Sequence, residues 1–220
     1  MPSLFTNRRL GTSLAPFDSL NFALHVGDDQ SHVERNRGLL ELHTPPVQFM
    51  NQVHGDSFAV IAEKSSIDPT CDALITTKPG LAVAVMSADC IPLLLSAARV
   101  VAAVHVGRKG LTNRVAINVI QAMRALGALT IHAELGPSIC GSCYEVSQTV
   151  ADEVLASHPR AFARTLGGKP ALDLPKALIG DLVELGVTYE ASSICTLENL
   201  DYFSYRRNNI TGRNAGVIWL

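Results

Sequence analysis

The sequence predicts a single α/β domain, residues 1–220, in which mixed β-sheets pack with helices. Three observations predict it. Apolar, β-rich runs are interleaved with helical patterns. Several of those runs follow one another directly, which favours a mixed sheet over a regular doubly wound parallel one. No Ser/Gly/Pro-rich linker, low-complexity tract or internal repeat divides the chain. With 47% hydrophobic and 17% charged residues over 220 positions, the chain can build a substantial core.

After a turn-rich start, His32–His43 reads as a helix with Asp28 or Ser31 near its cap. Val47–Met50 and Ser57–Ala62 read as strands flanking NQVHGD, which places His54 on a strand connection. Ala73–Thr76, Ala82–Met86, Ile91–Leu95 and Val100–Val106 are apolar runs expected as buried or half-buried strands. Cys90 and His105 fall near their ends. From Asn113 to Leu126 the apolar positions Val115, Val119, Ile120 and Met123 recur at helical spacing, and Gly127 closes the helix. Ile131–Leu135 reads as a strand, Ser147–Ser157 and Lys176–Leu185 as helices, and Ser192–Cys195 and Gly216–Leu220 as terminal strands.

Composition excludes several roles. A formal net charge of −2 gives no general attraction for nucleic acid or an anionic membrane, so any anion site is local and the expected partner is a small molecule. The apolar stretches are too short to span a bilayer, and Met1–Leu10 carries two arginines with no hydrophobic region after it. Five cysteines without a secretion signal point to reduced thiols and a cytoplasmic location. A monomer or homodimer is expected.

His54, Cys90 and His105 each end or follow a strand-like run, and two imidazoles with one thiolate suit zinc. Three protein ligands leave a fourth position for water or substrate, as in catalytic sites. Taken alone, Cys90 reads more readily as a small buried hydrophobe, and the separations of 36 and 15 positions match no short-range metal motif. Asp89 is an acid within an otherwise apolar run. It is expected to orient a histidine, pair with an arginine or serve as a general base. Cys140-Gly141-Ser142-Cys143 has the look of a zinc-ribbon or redox half-site, but the sequence offers no second pair, so a structural loop is the better reading. Cys71 and Cys195 read as packing residues. The tail DYFSYRRNNITGRNAG combines tyrosines with Arg206, Arg207 and Arg213, which suits a base or phosphate as well as a solvated turn.

These segments resemble a known family over nearly the whole chain. The match includes FTNRRLGTSLAPFDSLNFALHVGDD, VERNR, NQVHGD, CDALITTKPGLAVAVMSADCIPLLL, VAAVHVGRKG, GPSICGSCYEV and FSYRRNNITGRNAGVIWL. The family is that of the purine nucleoside phosphorylases also called laccase-domain or multicopper polyphenol oxidase proteins and grouped with cysteine hydrolases. The resemblance implies that His54, Cys90 and His105 hold one catalytic zinc, and that Arg8 belongs to the substrate and phosphate region. It further implies phosphorolysis of adenosine, inosine, guanosine or methylthioadenosine, with adenosine deamination as a companion activity. The implied fold is that of a toxin deamidase-type cysteine hydrolase.

One segment departs from the family. The usual Gly-Trp-Arg-Gly after the second zinc histidine is here Gly107-Arg108-Lys109-Gly110, which removes an aromatic wall and keeps a cationic loop. Arg108, Lys109 and Arg206 join Arg8 as expected substrate-binding residues, and Asp89 joins the trio as a catalytic group. Seven histidines with no His-X-His pair argue against a multicopper oxidase. The alternatives are a Cys90/His105 or zinc amide hydrolase acting on cell-wall precursors, and a non-enzymatic binding domain whose zinc is closed by Cys140 or Cys143.

Overall fold

The structure, a computed structural model, describes residues 1–220. In chain order its elements are β1 (Ser3–Phe5), α1 (Gln30–Glu41), β2 (Val47–Gln48), β3 (Phe58–Ile61), β4 (Ala73–Thr76), β5 (Ala82–Ser87), β6 (Ile91–Ala97) and β7 (Val100–Val106). There follow α2 (Arg108–Thr112), α3 (Val115–Ala125), β8 (His132–Leu135), α4 (Gln148–Leu155), β9 (Phe162–Arg164), β10 (Pro170–Leu172), α5 (Leu174–Glu184), β11 (Thr188–Ala191) and β12 (Asn214–Trp219). Both large sheets are mixed, as expected. One has the order β11-β8-β6-β7-β4-β3 and the other β1-β12-β5-β2, with β9 and β10 forming a separate hairpin.

The apolar runs are continuous because both faces of each central strand are covered. In β6, Leu93 and Leu95 face α3, α4 and α5, while Leu94 faces the other sheet. In β7, Ala102 and Val104 take the helix side, and Val101 and Ala103 the inter-sheet side. In β5, Val83 and Val85 point between the sheets, and Ala82, Ala84 and Met86 pack toward Leu40 of α1. The layers are thus helices, six-stranded sheet, four-stranded sheet and α1. Leu94 is fully buried, and truncating such a residue to alanine costs about 2–5 kcal/mol.

Helix ends follow local chemistry. The Asp29 carboxylate, rather than Asp28 or Ser31, caps α1 by accepting the Ser31 N–H at 2.8 Å. Asp173 caps α5 at Lys176 N–H (2.9 Å), with Pro175 in the first turn, so this helix begins at Leu174 instead of Lys176. Gly127 closes α3 as expected, and its φ of 93° is the left-handed stop that glycine adopts freely. The expected strand at Ser192–Cys195 is corrected. The strand is β11 at Thr188–Ala191, fully exposed at a sheet edge, and 192–195 is loop. β1, β9 and β10 are also present, each only three residues long. No helix is long and apolar enough to cross a membrane.

Candidate metal centre and its cleft

The strand parity that builds the core also builds the site. His105 continues the inter-sheet face of Val101 and Ala103, Cys90 is in phase with Leu94, and Asp72 with Leu74. All three come to one end of the sheet interface. Cys90 lies in the turn where the chain leaves β5 for β6 in the other sheet, and His105 pairs with Pro92 two residues further on. His54 arrives from the loop after β2. That loop is tethered to the end of β5 by Gln52, whose amide donates to the Met86 carbonyl and accepts the Met86 N–H, both at 2.8 Å.

Asp72 organises two of the three donors. Its buried carboxylate accepts the N–H groups of His54 (2.9 Å) and Gly55 (2.6 Å) and the Nδ1–H of His105 (2.9 Å), and its carbonyl accepts the His105 N–H at 2.8 Å. Burial pushes the Asp72 carboxyl up, but His105 and the backbone donors outweigh it and hold the group below its ordinary value. His105 is thereby fixed with Nε2 directed away from Asp72, the arrangement by which a carboxylate orients a ligand histidine.

His54 Nε2 lies 4.0 Å from Cys90 Sγ, and the donor atoms of His54, Cys90 and His105 all fall within 4.8 Å of one another. Tetrahedral zinc, with metal–donor distances of about 2.0–2.3 Å, sets donor separations of roughly 3.3–3.7 Å, so small side-chain shifts complete the fit. No fourth Asp, Glu, His or Cys joins the group. The reading in which Cys140 or Cys143 closes this site is therefore corrected: those thiols belong to another cluster, with Cys195 and Glu198.

Charge favours the thiolate. Burial opposes ionisation of Cys90, but His105 and His54 outweigh it and bring the thiol to about 6. Burial likewise opposes the His105 cation, and the Cys90 thiolate and Asp72 carry the imidazole up to about 9. Backbone strain concentrates here too, with φ of 59° at His54 and 96° at Asp89, positions that cost on the order of 1–3 kcal/mol when not glycine. A Cβ on Gly107 would sit 3.0 Å from Cys90 Sγ and 3.2 Å from His54 Cδ2, so glycine lets the chain pass this close without crowding either side chain.

The trio opens into a cleft of about 550 Å³. Of the expected substrate residues, Arg108, Lys109 and Arg206 line it, and Asp89 does as well. Asp89 orients neither histidine. Its carboxylate accepts the Thr196 hydroxyl (2.7 Å) and the Arg206 backbone N–H (2.6 Å), so it anchors the tail. The Arg206 guanidinium donates to the Glu145 carbonyl at 2.7 Å and lies 5.0 Å over the Tyr144 ring. Arg8 is not brought to this cleft. It pairs with Asp18 at 2.9 Å, lies 4.7 Å over Phe203 and lines a separate depression with Arg9 and Asp201.

The sequence reading did not select His25, Tyr144, Tyr205 or Arg213 as site residues, and all four line the cleft. Tyr205 and Arg213 lie in the tail whose composition suits a base or phosphate, whereas His25 and Tyr144 carry no such signal. Burial, followed by the Cys90 charge, holds the Tyr144 hydroxyl above its ordinary value.

An open two-histidine, one-cysteine donor set at the mouth of a cationic, tyrosine-flanked cleft defines the class, a candidate metalloenzyme on a four-layer α/β fold. The chain belongs to the multi-copper polyphenol oxidoreductase laccase family, whose model matches residues 2–220. It is 44% identical to a Streptomyces griseus protein named purine nucleoside phosphorylase ORF3, over 98% of this chain and 93% of that one. It is 36% identical to the purine nucleoside phosphorylase YfiH of Escherichia coli, over 96% and 90%. Among solved structures, a Neisseria meningitidis protein of the DUF152 family superposes with a TM-score of 0.90 at 36% identity, covering 99% of this chain and 93% of that one. YfiH of Bacillus licheniformis superposes at 0.91 and 30% identity, covering 99% and 92%.

Proposed function

We propose that the protein is a zinc-dependent purine nucleoside phosphorylase. The observation that carries this reading is the Asp72-oriented His54/Cys90/His105 set facing a cleft lined by Arg108, Lys109, Arg206 and Arg213, and the names of its relatives support it. In the reaction the bond from C1′ of the ribose to the base breaks and a phosphate oxygen bonds C1′, giving free base and ribose 1-phosphate. Arg108, Lys109 and Arg206 supply the positive charge that holds phosphate beside C1′. Tyr144 and Tyr205 flank the base, and Asp72 keeps the proton of His105 at Nδ1 so that Nε2 presents its lone pair. Arg8 braces the tail from behind, through Phe203. Zinc, held by His54, Cys90 and His105, supplies Lewis acidity at the cleft, for phosphorolysis and for adenosine deamination alike. Copper oxidation is disfavoured by the donors, since the trio holds only two histidines and the other cluster none.

The test is metal analysis of wild-type and Cys90→Ser protein, with each incubated with adenosine or inosine and phosphate. Phosphate-dependent release of base and ribose 1-phosphate, lost in the variant together with the zinc of the trio, is expected. Bound zinc with no nucleoside turnover would defeat the reading. A second reading rests on the Cys90 thiolate and His105 imidazolium, the pair that a cysteine amide hydrolase uses. It accords with the implied likeness to deamidase toxins, and predicts hydrolysis of cell-wall peptides that survives chelation.

A further inference from the structure

Away from the trio, two loops carry donors in matching pairs. Cys140-Gly141-Ser142-Cys143 precedes α4, and Cys195-Thr196-Leu197-Glu198 follows β11, each pair separated by two residues. Each pair is closed by a tight turn. The Cys143 and Tyr144 N–H groups donate to the Cys140 carbonyl at 3.1 and 3.0 Å, and the Asn199 N–H donates to the Cys195 carbonyl at 2.9 Å. The loops run side by side. Thr196 N–H donates to the Ser138 carbonyl at 3.1 Å, and Cys140 N–H points at Cys195 Sγ at 3.4 Å. The ligand atoms of Cys140, Cys143, Cys195 and Glu198 all lie within 4.8 Å of one another, with Cys143 Sγ 3.4 Å from a Glu198 carboxylate oxygen. All three cysteines are free thiols.

We propose that this cluster is a second metal site, a closed structural site for zinc. Three thiolates and one carboxylate complete a tetrahedral shell with no position left for substrate, and they carry the same formal charge as a four-cysteine site. Each thiol that becomes a ligand gives its proton to solvent, so uptake releases up to three protons per ion. The sulfur-rich donor set selects a soft or borderline ion over magnesium or calcium.

The position gives the site a task. Thr196, between Cys195 and Glu198, holds Asp89 at 2.7 Å, and Tyr144, next to Cys143, lines the cleft. Arg207 donates to the Thr196 and Leu197 carbonyls at 2.8 and 3.0 Å. A metal clamp here fixes two walls of the cleft without touching substrate, so Cys140, Cys143, Cys195 and Glu198 are positioning residues.

The test uses full-length Cys90→Ser protein, which retains no thiolate at the first site. Stripped of metal under reducing conditions, it is titrated with Co²⁺. One Co²⁺ per chain should bind with sulfur-to-cobalt charge-transfer absorption and the visible bands of tetrahedral coordination, and equimolar Zn²⁺ should bleach both. Adding Cys143→Ser should abolish the charge-transfer band, and adding Glu198→Gln instead should weaken Co²⁺ binding tenfold or more. Freshly purified wild-type protein should carry two zinc ions and Cys90→Ser one. Folded Cys90→Ser protein, verified by circular dichroism, that shows no charge-transfer band would overturn the proposal. An intact mass showing a disulfide among these cysteines, or equal Co²⁺ affinity with Glu198→Gln, would do the same. Because the first site is already disabled, failure here is distinct from failure of the phosphorylase reading.

Discussion

The carboxylate of Asp72 and the imidazole of His105 meet at 2.9 Å in a position where neither is open to solvent, and that same carboxylate holds the backbone of His54. One acid therefore sets the ring of one candidate metal donor and the loop of another. Asp72→Asn keeps the volume but replaces an acceptor oxygen with a donor. Zinc affinity should fall about 10- to 100-fold, the usual cost of losing such a partner. Competition with a chromophoric chelator measures it, and excess zinc should restore turnover if the role is to orient the donors.

At Gly107 the constraint is one of space. The added methyl of Gly107→Ala meets Cys90 Sγ at 3.0 Å and His54 Cδ2 at 3.2 Å, tight contacts that a small displacement of these two side chains relieves. A cost of about 1–3 kcal/mol is expected for overpacking of this kind. It should appear as weaker zinc binding in the folded protein. Unchanged zinc affinity with a lowered melting temperature would show that the backbone, not the donors, had yielded.

Much of this was legible in the sequence. The boundaries of β4 and β7 coincide with their apolar runs, because strands covered on both faces display themselves as uninterrupted Val, Ile, Leu and Ala. β11 carries no such signal, since all four of its residues are exposed. The neighbouring Ser192–Cys195 segment has strand-like composition, but its pairing stops at a single bridge between Cys195 and Ser138 and never extends into a ladder. The expectation of a metal at His54, Cys90 and His105 comes from family resemblance and not from spacing, because these residues lie on three separate strand connections or ends. Asp72 shows the limit. Nothing in CDALIT announces a partner for His105, 33 positions away, until β4 and β7 are paired. Likewise, nothing in CTLE signals that Cys195 and Glu198 lie beside Cys140 and Cys143.

The cationic loop is testable through phosphate. Lys109→Ala should raise the KM for phosphate severalfold and flatten its dependence on ionic strength, with zinc content unchanged, because Lys109 lines the cleft without being a donor. Arg108→Trp restores the family's aromatic residue and should lower the KM for nucleoside while leaving phosphate binding weaker. Zinc loss in either variant would mean that α2 supports the trio rather than the substrate.

Proton release on zinc uptake follows from the two shifted donors. Without metal, Cys90 is a thiolate above about pH 6 and His105 remains protonated up to about pH 9. Zinc requires the thiolate and a neutral imidazole. Between these limits uptake must therefore expel one proton from the pair, the one on His105, and affinity should climb about tenfold per pH unit. Above about pH 9 the His105 proton is already gone and the rise should level off. Below about pH 6 Cys90 must also be deprotonated, so two protons leave and the dependence steepens. Calorimetry in buffers of different ionisation enthalpy counts these protons directly. In a background with Cys143→Ser, which confines the measurement to the trio, a count near zero at pH 7.5 would show that His105 is neutral before the metal arrives.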